Sequence, residues 1–355
     1  GGTTAHLSES VGMRYQALVR AHGVQRAAVV AEASRAGIEW MARTVWESHL
    51  NCAFQRVPGF LFTEHKRHVQ CLEEEREVCA SLGMGVELRK HAPLPFNHVA
   101  ALRFSNQAQC HALHYLLPLA DAVVEEGGEV YEDTQILDVQ DGPRYRLETA
   151  RGVITAEQVI IAAHAPLTRA LVPARASQHQ SFALAYPFHG VLPHGLYRDV
   201  EEPCHGVRLH SARGRTFLIA GGEEQRTGRV ENAAGCYQRL HAWVRSRFSV
   251  GEPSHLWSAR ELAPADGMPL VGRLPSASQV LVATGYGANA LTFGTAASLV
   301  LRDLVLGRSN PWAEVFNPCR SPPPSSLRQL VTDGVSLALH FVRQRMRPPE
   351  GAVTR

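Results

Sequence analysis

The spacing of hydrophobic positions near the C-terminal end of the chain predicts a strand, a turn and a helix. Residues 280–284 are apolar and largely β-branched, as is typical of a short buried strand. Gly285 and Gly287 interrupt this run, and a proline-free apolar stretch then runs from about Asn289 to a helix stop at Gly307. Because such a helix directs free N–H groups and its positive dipole end at the turn before it, this glycine turn is a candidate anion-binding site.

The same patterning predicts the elements of the remaining chain. Helices are expected to end near residues 21 and 126 and to span residues 24–45, 64–82 and 232–248. Strands are expected near residues 101–104 and over residues 129–139, 145–149, 153–163, 179–188, 206–210 and 215–220. A hairpin with a Pro58–Gly59 turn is expected at residues 53–63, and the acidic run at residues 73–77 is expected on a solvated helix face.

Composition narrows the class of protein. With 355 residues, of which 45% are hydrophobic and 19% charged, the chain is large enough for two interleaved domains. A net charge of +3, without a lysine or arginine run, argues against a nucleic-acid partner. Seven irregularly spaced cysteines favour free thiols in a reducing, cytoplasmic compartment. The sequence shows no signal peptide and no uninterrupted transmembrane run, so no membrane association is expected.

Simple motifs leave several alternatives open. Residues 285–290 match the nucleotide-binding pattern G-x-G-x-x-A, yet no further strand follows Gly307, and a tightly packed core helix is an alternative explanation. One-turn spacings at His65 and His68, and at residues 110–114, suit metal ligands but lack further partners, so no metal is predicted. The Cys-x-His and Cys-x-x-His pairs of a Rieske cluster are absent.

A longer segment carries a more specific resemblance. Residues 266–298, DGMPLVGRLPSASQVLVATGYGANALTFGTAAS, resemble the C-terminal flavin motif of the D-amino-acid-oxidase-like FAD oxidoreductases. The resemblance implies that FAD is the cofactor and that the helix N-terminus faces the pyrimidine edge of the flavin, where negative charge collects on reduction. The cofactor-binding residues that it implies here are Gly285, Gly287, Ala288, Asn289, Leu291 and Thr292.

Three other segments extend this resemblance. The turn at Thr3 and Thr4 is similar to the family's GRTTAHLT-like contact with FAD, although an ordinary N-terminal cap is an alternative. Residues 159–167 resemble the strand and turn under the adenosine half. The string PLPF…QAQ-x-H…YL resembles the subgroup that carries a C-terminal Rieske domain. Further cofactor-binding residues implied by the resemblance are Val139, Ala163 and His164.

Arginine is the expected substrate-binding residue. Amino-acid oxidases of this family hold a substrate carboxylate with arginine, whose planar fork suits a bidentate contact. Arg208 and His210 alternate on a predicted strand, whereas Arg260 lies near Trp257 just before the flavin motif. Arg208 and Arg260 are therefore the candidate catalytic residues, with surface arginines paired to local acids as the alternative. Asp266 is expected to fix the turn at Gly267 and not to act as a base.

The predicted fold is mixed α/β and α+β, a two-domain FAD/NAD(P)-binding oxidoreductase fold with an antiparallel-sheet substrate domain. The FAD-binding part is assigned to residues 1–52, 112–178 and 255–320, the substrate part to residues 53–111 and 179–254, and a Pro-rich linker and tail to residues 321–355.

The predicted function is FAD-dependent oxidation of an amine or amino-acid C–N bond by hydride transfer, with an electron-transfer partner in view. The family's first βαβ unit, whose G-x-G-x-x-G turn grips the ADP half of FAD, is missing before Thr3. The 355-residue chain is accordingly expected to be a fragment that binds FAD poorly, with an open strand edge and an exposed apolar face. The alternative is a truncated, non-catalytic remnant that acts as an interaction or scaffold protein.

Overall fold

The computed structural model describes residues 2–164, 176–227, 232–274 and 277–324, and the tail predicted beyond residue 324 lies outside this part of the chain. Six helices lie within it: α1 (Tyr15–His22), α2 (Val24–Glu47), α3 (Val69–Ser81), α4 (Ala112–Glu125), α5 (Ala233–Arg245) and α6 (Ala290–Val305). The α6 helix begins and ends where its apolar pattern predicts, and Gly307 after it has the left-handed φ of 68° that favours glycine at a helix stop.

The largest sheet provides one wall of the candidate site. Its strands are β1 (His6–Leu7), β2 (Gln55–Thr63), β3 (Val86–Arg89), β4 (Ala100–Gln109), β9 (Ala176–Pro187), β10 (Leu196–Asp199), β11 (His205–Ala212), β12 (Arg215–Arg226) and β13 (His255–Pro264). They follow the order β1-β4-β2-β10-β11-β12-β9-β13, with β3 beside β4. All pairs are antiparallel except β2 with β10.

Two smaller sheets complete the described fold. One contains β5 (Ile136–Gln140), β6 (Tyr145–Thr149) and β7 (Gly152–Ala156); the other contains β8 (Val159–Ile161), β14 (Leu270–Leu274) and β15 (Ala277–Thr284). In the second sheet β8 pairs in parallel with β15, the strand that leads into α6. The proposed domain division stays a prediction, and the large sheet takes β1 and β13 from segments assigned to the FAD-binding part.

Two local predictions are wrong. The expected hairpin at residues 53–63 is instead the single strand β2, which pairs with β4 on both sides of a register shift between Val57 and Gly59. Pro58 falls at this bulge, where a residue without an N–H group is tolerated in a sheet. The acidic run is not wholly solvated, because the Glu75 side chain is buried and accepts hydrogen bonds from the first N–H groups of α1, Tyr15 N at 2.8 Å and Gln16 N at 3.0 Å.

Close helix packing positions the start of α6. Gly37 of α2 lies directly against the first turn of α6, where a Cβ atom at Gly37 would come within 2.3 Å of the Thr292 carbonyl oxygen.

An ion pair holds the motif that precedes β14. Both Asp266 carboxylate oxygens accept from the Arg320 guanidinium at 2.7 Å, and both side chains are buried. Asp266 therefore holds the turn, as the sequence predicts.

One helix face lies open to solvent. The α4 helix exposes five large apolar side chains, Leu113, Leu116, Leu117, Val123 and Val124. In its three-stranded sheet β8 is the last described strand, and Ile160 on it is also exposed. The expected link between an open strand edge, an exposed apolar face and a missing unit stays a prediction. None of the described helices is both long enough and apolar enough to cross a bilayer.

Candidate functional site

A cavity of about 280 Å³ lies between the turn before α6 and one face of the large sheet. Of the residues predicted to bind the cofactor, most line this cavity: Thr3, Thr4, Ala163, His164, Gly285, Gly287, Ala288 and Asn289. These residues come from three separated segments of the chain, so the fold brings together what the sequence resemblance assigned one motif at a time.

The turn that precedes α6 leaves its helix N-terminus open. Gly285 and Gly287 have φ values of 77° and 53°, a region that favours glycine, and a Cβ atom at Gly287 would meet nothing within 4 Å. Asn289 stands at the N-cap position but does not cap the helix, because its amide donates to the carbonyls of Ser8 at 3.3 Å and Ser10 at 2.7 Å. The Thr292 hydroxyl, one turn into α6, is buried and has no partner among the described residues.

The N-terminal turn and His164 both line the cavity. The Thr3 hydroxyl accepts from Ala5 N at 3.0 Å, which fixes a compact turn. The Thr4 methyl group lies close to Gly221, where an added Cβ atom would be 3.0 Å from it. The carbonyl of His164 accepts from the Thr284 hydroxyl at 3.0 Å. Burial, and then the nearby Arg260, lower the pKa of His164, so its imidazole stays neutral.

Small residues form the part of the sheet that faces the cavity. Gly206 of β11 pairs with Gly221 of β12, and Ala259 of β13 pairs with Ser181 of β9. All four line the cavity. Since alternate residues of a strand point to opposite faces, these positions share one face of the sheet, and their small size lets a planar ligand approach the strands closely.

Charged side chains line one end of the same sheet face. Arg198 of β10 donates from Nη2 to the Cys204 sulfur at 3.1 Å, which is the one hydrogen bond of its guanidinium among the described residues. Electrostatic attraction from the Cys204 sulfur is the main cause that raises the pKa of Arg198. Glu261 of β13 accepts from the Ser181 hydroxyl at 2.9 Å and has no salt-bridge partner in the described part of the chain.

A β-bulge in β12 separates two neighbouring carboxylates. The register with β9 shifts between Gly222 and Gln225, and Glu223 has a left-handed φ of 54°. Glu224 lines the cavity and bonds to His179 Nδ1 at 2.9 Å, and this hydrogen bond is the main cause that lowers the pKa of Glu224. Glu223 instead contacts His205 at 3.2 Å on one side and an α5 arginine on the other.

His6 adds a neutral polar group to the cavity wall. Burial, together with the positive charges of Arg208 and Arg198, lowers the pKa of His6 to about 3. Its imidazole is therefore uncharged at neutral pH and can donate or accept one hydrogen bond.

The structure places the two predicted catalytic arginines differently. Arg260 is exposed and lines the cavity. Arg208 is only 3% exposed and does not line it. Its guanidinium donates to the carbonyls of Thr4, of Leu209 at 3.2 Å and of Cys110 at 3.4 Å. Val139, Leu291 and Thr292 also lie outside the lining, so their roles stay predictions.

Sequence analysis overlooked Arg198, Glu261 and Glu224. The i, i+2 and i+4 series Trp257, Ala259 and Glu261 carries the alternation of a strand with one face on the cavity, and could have revealed Glu261. No comparable signal marks Arg198, because β10 has only four residues and one of its two neighbours, β2, is distant in sequence. Among the described residues, no group of three or more His, Cys, Asp or Glu side chains is arranged to hold a metal ion.

Comparison with known proteins agrees with this geometry. The family model DAO, FAD dependent oxidoreductase, matches residues 2–304, so the chain belongs to that family. Over 357 aligned residues the chain is 28% identical to YhfW of Bacillus subtilis (strain 168), named as a Rieske 2Fe-2S iron–sulfur protein, covering 98% of this chain and 70% of YhfW. The resemblance to the Rieske-bearing subgroup is thereby confirmed.

Solved structures support the fold. Glycine oxidase from Geobacillus kaustophilus has a TM-score of 0.74 at 17% identity, covering 90% of this chain and 88% of that protein. L-α-glycerophosphate oxidase from Mycoplasma pneumoniae, solved with FAD bound, has a TM-score of 0.66 at 11% identity, covering 87% of this chain and 86% of that one. The chain is an oxidoreductase with a two-domain FAD-binding fold, and FAD is its cofactor.

The residues at the cavity fit the ring end of this cofactor. Gly287 leaves room where a side chain would otherwise stand. One turn into α6, outside the lining, the buried Thr292 hydroxyl has no partner among the described residues. The α6 N-terminus has no side-chain cap and supplies positive potential, which suits the negative charge of a reduced flavin.

Proposed function

We propose that this protein oxidises the C–N bond of an amine or amino acid. The observation that carries the proposal is the pairing of an under-bonded guanidinium, Arg198, with an under-bonded carboxylate, Glu261, on the wall of the cavity that holds the α6 turn. A zwitterionic substrate needs both charges. FAD, when bound, would supply the acceptor for the hydride, which leaves the substrate carbon with its electron pair.

The proposed cofactor-binding set is the predicted one. The turn formed by Gly285, Gly287, Ala288 and Asn289 holds the ring beside the α6 N-terminus, and Thr3 and Thr4 contact it from the N-terminal turn. Ala163 and His164 line the same cavity at the end of β8. Leu291, Thr292 and Val139 support this set from outside the lining.

For the substrate carboxylate we propose Arg198, with Arg260 as a second cation at the exposed part of the cavity. A guanidinium that bonds only one thiol has donors free for a bidentate carboxylate contact. For Arg208 we propose a positioning role, because it bonds the Thr4 carbonyl and so holds the N-terminal turn against the cavity.

Apolar side chains complete the site. Phe60, Phe104, Trp257 and Leu262 line the cavity together with Tyr286, whose pKa is raised by burial. Exclusion of water strengthens charge contacts inside the cavity and keeps a substrate carbon oriented. Reoxidation by an electron-transfer partner belongs to the same proposal, and the similarity to YhfW supports it.

The test is anaerobic mixing of the protein, in excess FAD, with a panel of amino acids, primary amines, 2-hydroxy acids and glycerol phosphate. We expect loss of the oxidised-flavin absorbance with at least one amino acid or amine, and detection of the matching carbonyl product with ammonia or a smaller amine. Reduction by a hydroxy acid or glycerol phosphate alone would contradict C–N oxidation while leaving the FAD-dependent class intact.

A further inference from the structure

Among the described residues that line the cavity, Glu261 is the carboxylate without a salt-bridge partner. Its described hydrogen-bond partner is the Ser181 hydroxyl at 2.9 Å, and no described cation lies within salt-bridge distance. The other cavity carboxylate, Glu224, is bonded to His179 at 2.9 Å. The two carboxylates differ in what they can offer a ligand, because Glu224 is already hydrogen-bonded to an imidazole.

The position of Glu261 gives this free carboxylate access to a substrate. Glu261 of β13 pairs with His179 of the neighbouring strand β9 and follows Trp257 and Ala259 on the same face of β13. Trp257, Ala259 and Glu261 all line the cavity. Arg198 lines it as well and attracts Glu261 electrostatically, so positive and negative recognition groups share one wall.

We propose that Glu261 binds the substrate ammonium group and accepts its proton. This inference rests on the proposed function and assigns a role in it to a residue outside the predicted set. An N–H bond of the ammonium group breaks and an O–H bond forms on a Glu261 carboxylate oxygen. The nitrogen keeps the electron pair of the broken bond, and a neutral amine with a free lone pair remains at the cavity wall.

The chemistry requires such an acceptor. Free ammonium groups have pKa values of about 8 to 10, so amines enter the site protonated at neutral pH. A protonated nitrogen has no lone pair to stabilise the positive charge that develops on the carbon as a hydride leaves. A carboxylate in hydrogen-bond reach of the ammonium therefore both selects the substrate and converts it to the reactive form.

The electrostatic surroundings of Glu261 suit proton acceptance. Burial, and then the Glu224 carboxylate, raise the pKa of Glu261, whereas Ser181, Arg198 and His179 lower it. Because the net shift is upward, the carboxylate is a stronger base than an exposed glutamate. Because the charged carboxylate binds the ammonium group, binding is present at a pH above the Glu261 pKa and is lost as the pH falls through it.

Two unreactive isosteres isolate the ammonium contact. In 2-aminoisobutyrate the α-carbon bears no hydrogen and cannot be oxidised, and pivalate replaces its ammonium group by a methyl group of similar size. Calorimetric titration of both compounds into the protein in excess FAD measures the ammonium preference without turnover. We expect wild-type protein to bind 2-aminoisobutyrate about tenfold or more tightly than pivalate, as charge-assisted hydrogen bonds of this strength predict.

The Glu261→Gln variant is expected to lose this preference while its affinity for pivalate changes by less than about twofold. Ser181→Ala keeps the carboxylate and is expected to keep the preference, which shows that the cavity wall remains intact. A preference retained by Glu261→Gln, or no preference in wild-type protein, would overturn the inference. Should Glu261→Gln fail to fold, Ser181→Ala still tests the inference. The Ser181 hydrogen bond lowers the pKa of Glu261, so its loss must raise the pH at which the preference disappears.

A pH series separates proton acceptance from a purely structural role. Glu224→Gln removes the charge that raises the pKa of Glu261, so the loss of preference should move to lower pH. An unchanged pH dependence in Glu224→Gln and Ser181→Ala would contradict proton acceptance. Failure of the proposed function and failure of this inference give different results. A protein that shows the Glu261-dependent preference but oxidises no amine would contradict the proposed function. A protein that oxidises an amino acid without that preference would contradict the role of Glu261.

Discussion

The guanidinium of Arg198 has more donors than described partners. A thiol is a weak acceptor, so the bond to Cys204 leaves most of the hydrogen-bonding capacity of Arg198 for a ligand. Arg198 stands on β10, which pairs with β2 on one side and β11 on the other, and it lines the cavity that a ligand carboxylate would enter. These contacts make Arg198 the side chain at which substrate charge is best tested.

We expect Arg198→Met to weaken pivalate binding by roughly tenfold or more, because a charge-assisted hydrogen bond contributes about 1.5–3 kcal/mol. The matched control is Arg215→Met, which removes an exposed arginine at the start of β12 far along the sheet. Calorimetry with pivalate compares the two variants. Equal affinities for Arg198→Met and wild type would remove Arg198 from the substrate site.

Arg208 should behave as a structural residue. It is buried and bonds three backbone carbonyls, and burial lowers its pKa to about 10. Arg208→Met is expected to reduce the free energy of unfolding by about 2 kcal/mol, since carbonyls buried without a donor cost about 1–3 kcal/mol. Denaturant unfolding measures this. A variant as stable as wild type that binds pivalate much more weakly would restore Arg208 as a ligand residue.

At the residue scale the sequence indicates which chemistry is needed but not where a side chain points. Arg208 and Arg260 were predicted because arginine suits carboxylates, yet Arg208 turns to main-chain carbonyls that only the folded chain brings near. The place of Arg198 depends on the pairing of β10 with β2, which is far away in sequence and leaves no periodicity to find. Glu261 lies on β13, where the alternation of cavity-facing residues is visible in the sequence.

At the scale of elements, the packing of α2 against α6 fixes the helix that faces the cofactor. Gly37→Ala would place a Cβ atom 2.3 Å from the Thr292 carbonyl oxygen, which is rigid backbone. The gain in helix propensity of about 1 kcal/mol cannot offset this clash. We expect a loss of roughly 1–3 kcal/mol in unfolding free energy and weaker FAD binding.

Gly12→Ala is the control for that helix contact, since a Cβ atom there meets nothing within 4 Å. Denaturant unfolding and FAD titration should leave this variant close to wild type. If Gly37→Ala were as stable as Gly12→Ala, the two helices would not be held at the distance seen in the structure.

The Asp266–Arg320 pair joins the motif before β14 to the C-terminal end of the described chain. Arg320→Met leaves the Asp266 carboxylate buried without its cation, which typically costs about 3–5 kcal/mol. Arg20→Met breaks the exposed pair with Glu74 and should cost at most about 1 kcal/mol. Denaturant unfolding of both variants measures the two losses of unfolding free energy. Equal losses would show that the buried pair does not hold these segments together.

Element prediction succeeds where a strong pattern has a single outcome. The strand β15 and the helix α6 follow from a β-branched run, a glycine turn and a long apolar stretch. The pattern is ambiguous at Pro58–Gly59, a common turn pair that here forms a bulge because β4 pairs with both halves of β2. Strand β13 was missed because its face on the cavity mixes polar and apolar residues.

For the whole molecule, the family and cofactor follow from one long motif, while the assembled cavity does not. Residues from both ends of the chain, Thr4 and Asn289 among them, meet at a single cavity. Among the described residues, α4 exposes large apolar side chains and β8 is the last strand of its sheet. Poor FAD binding by the 355-residue chain, and the domain boundaries, stay predictions.

The most direct test of the central claim is a crystal structure of the protein grown in excess FAD. The account predicts that the isoalloxazine ring lies in the cavity, with its pyrimidine edge against the Gly285–Asn289 turn at the α6 N-terminus and one face toward the wall that carries Arg198 and Glu261. A ring bound elsewhere, or a ring in the cavity with its pyrimidine edge turned away from α6, would contradict it.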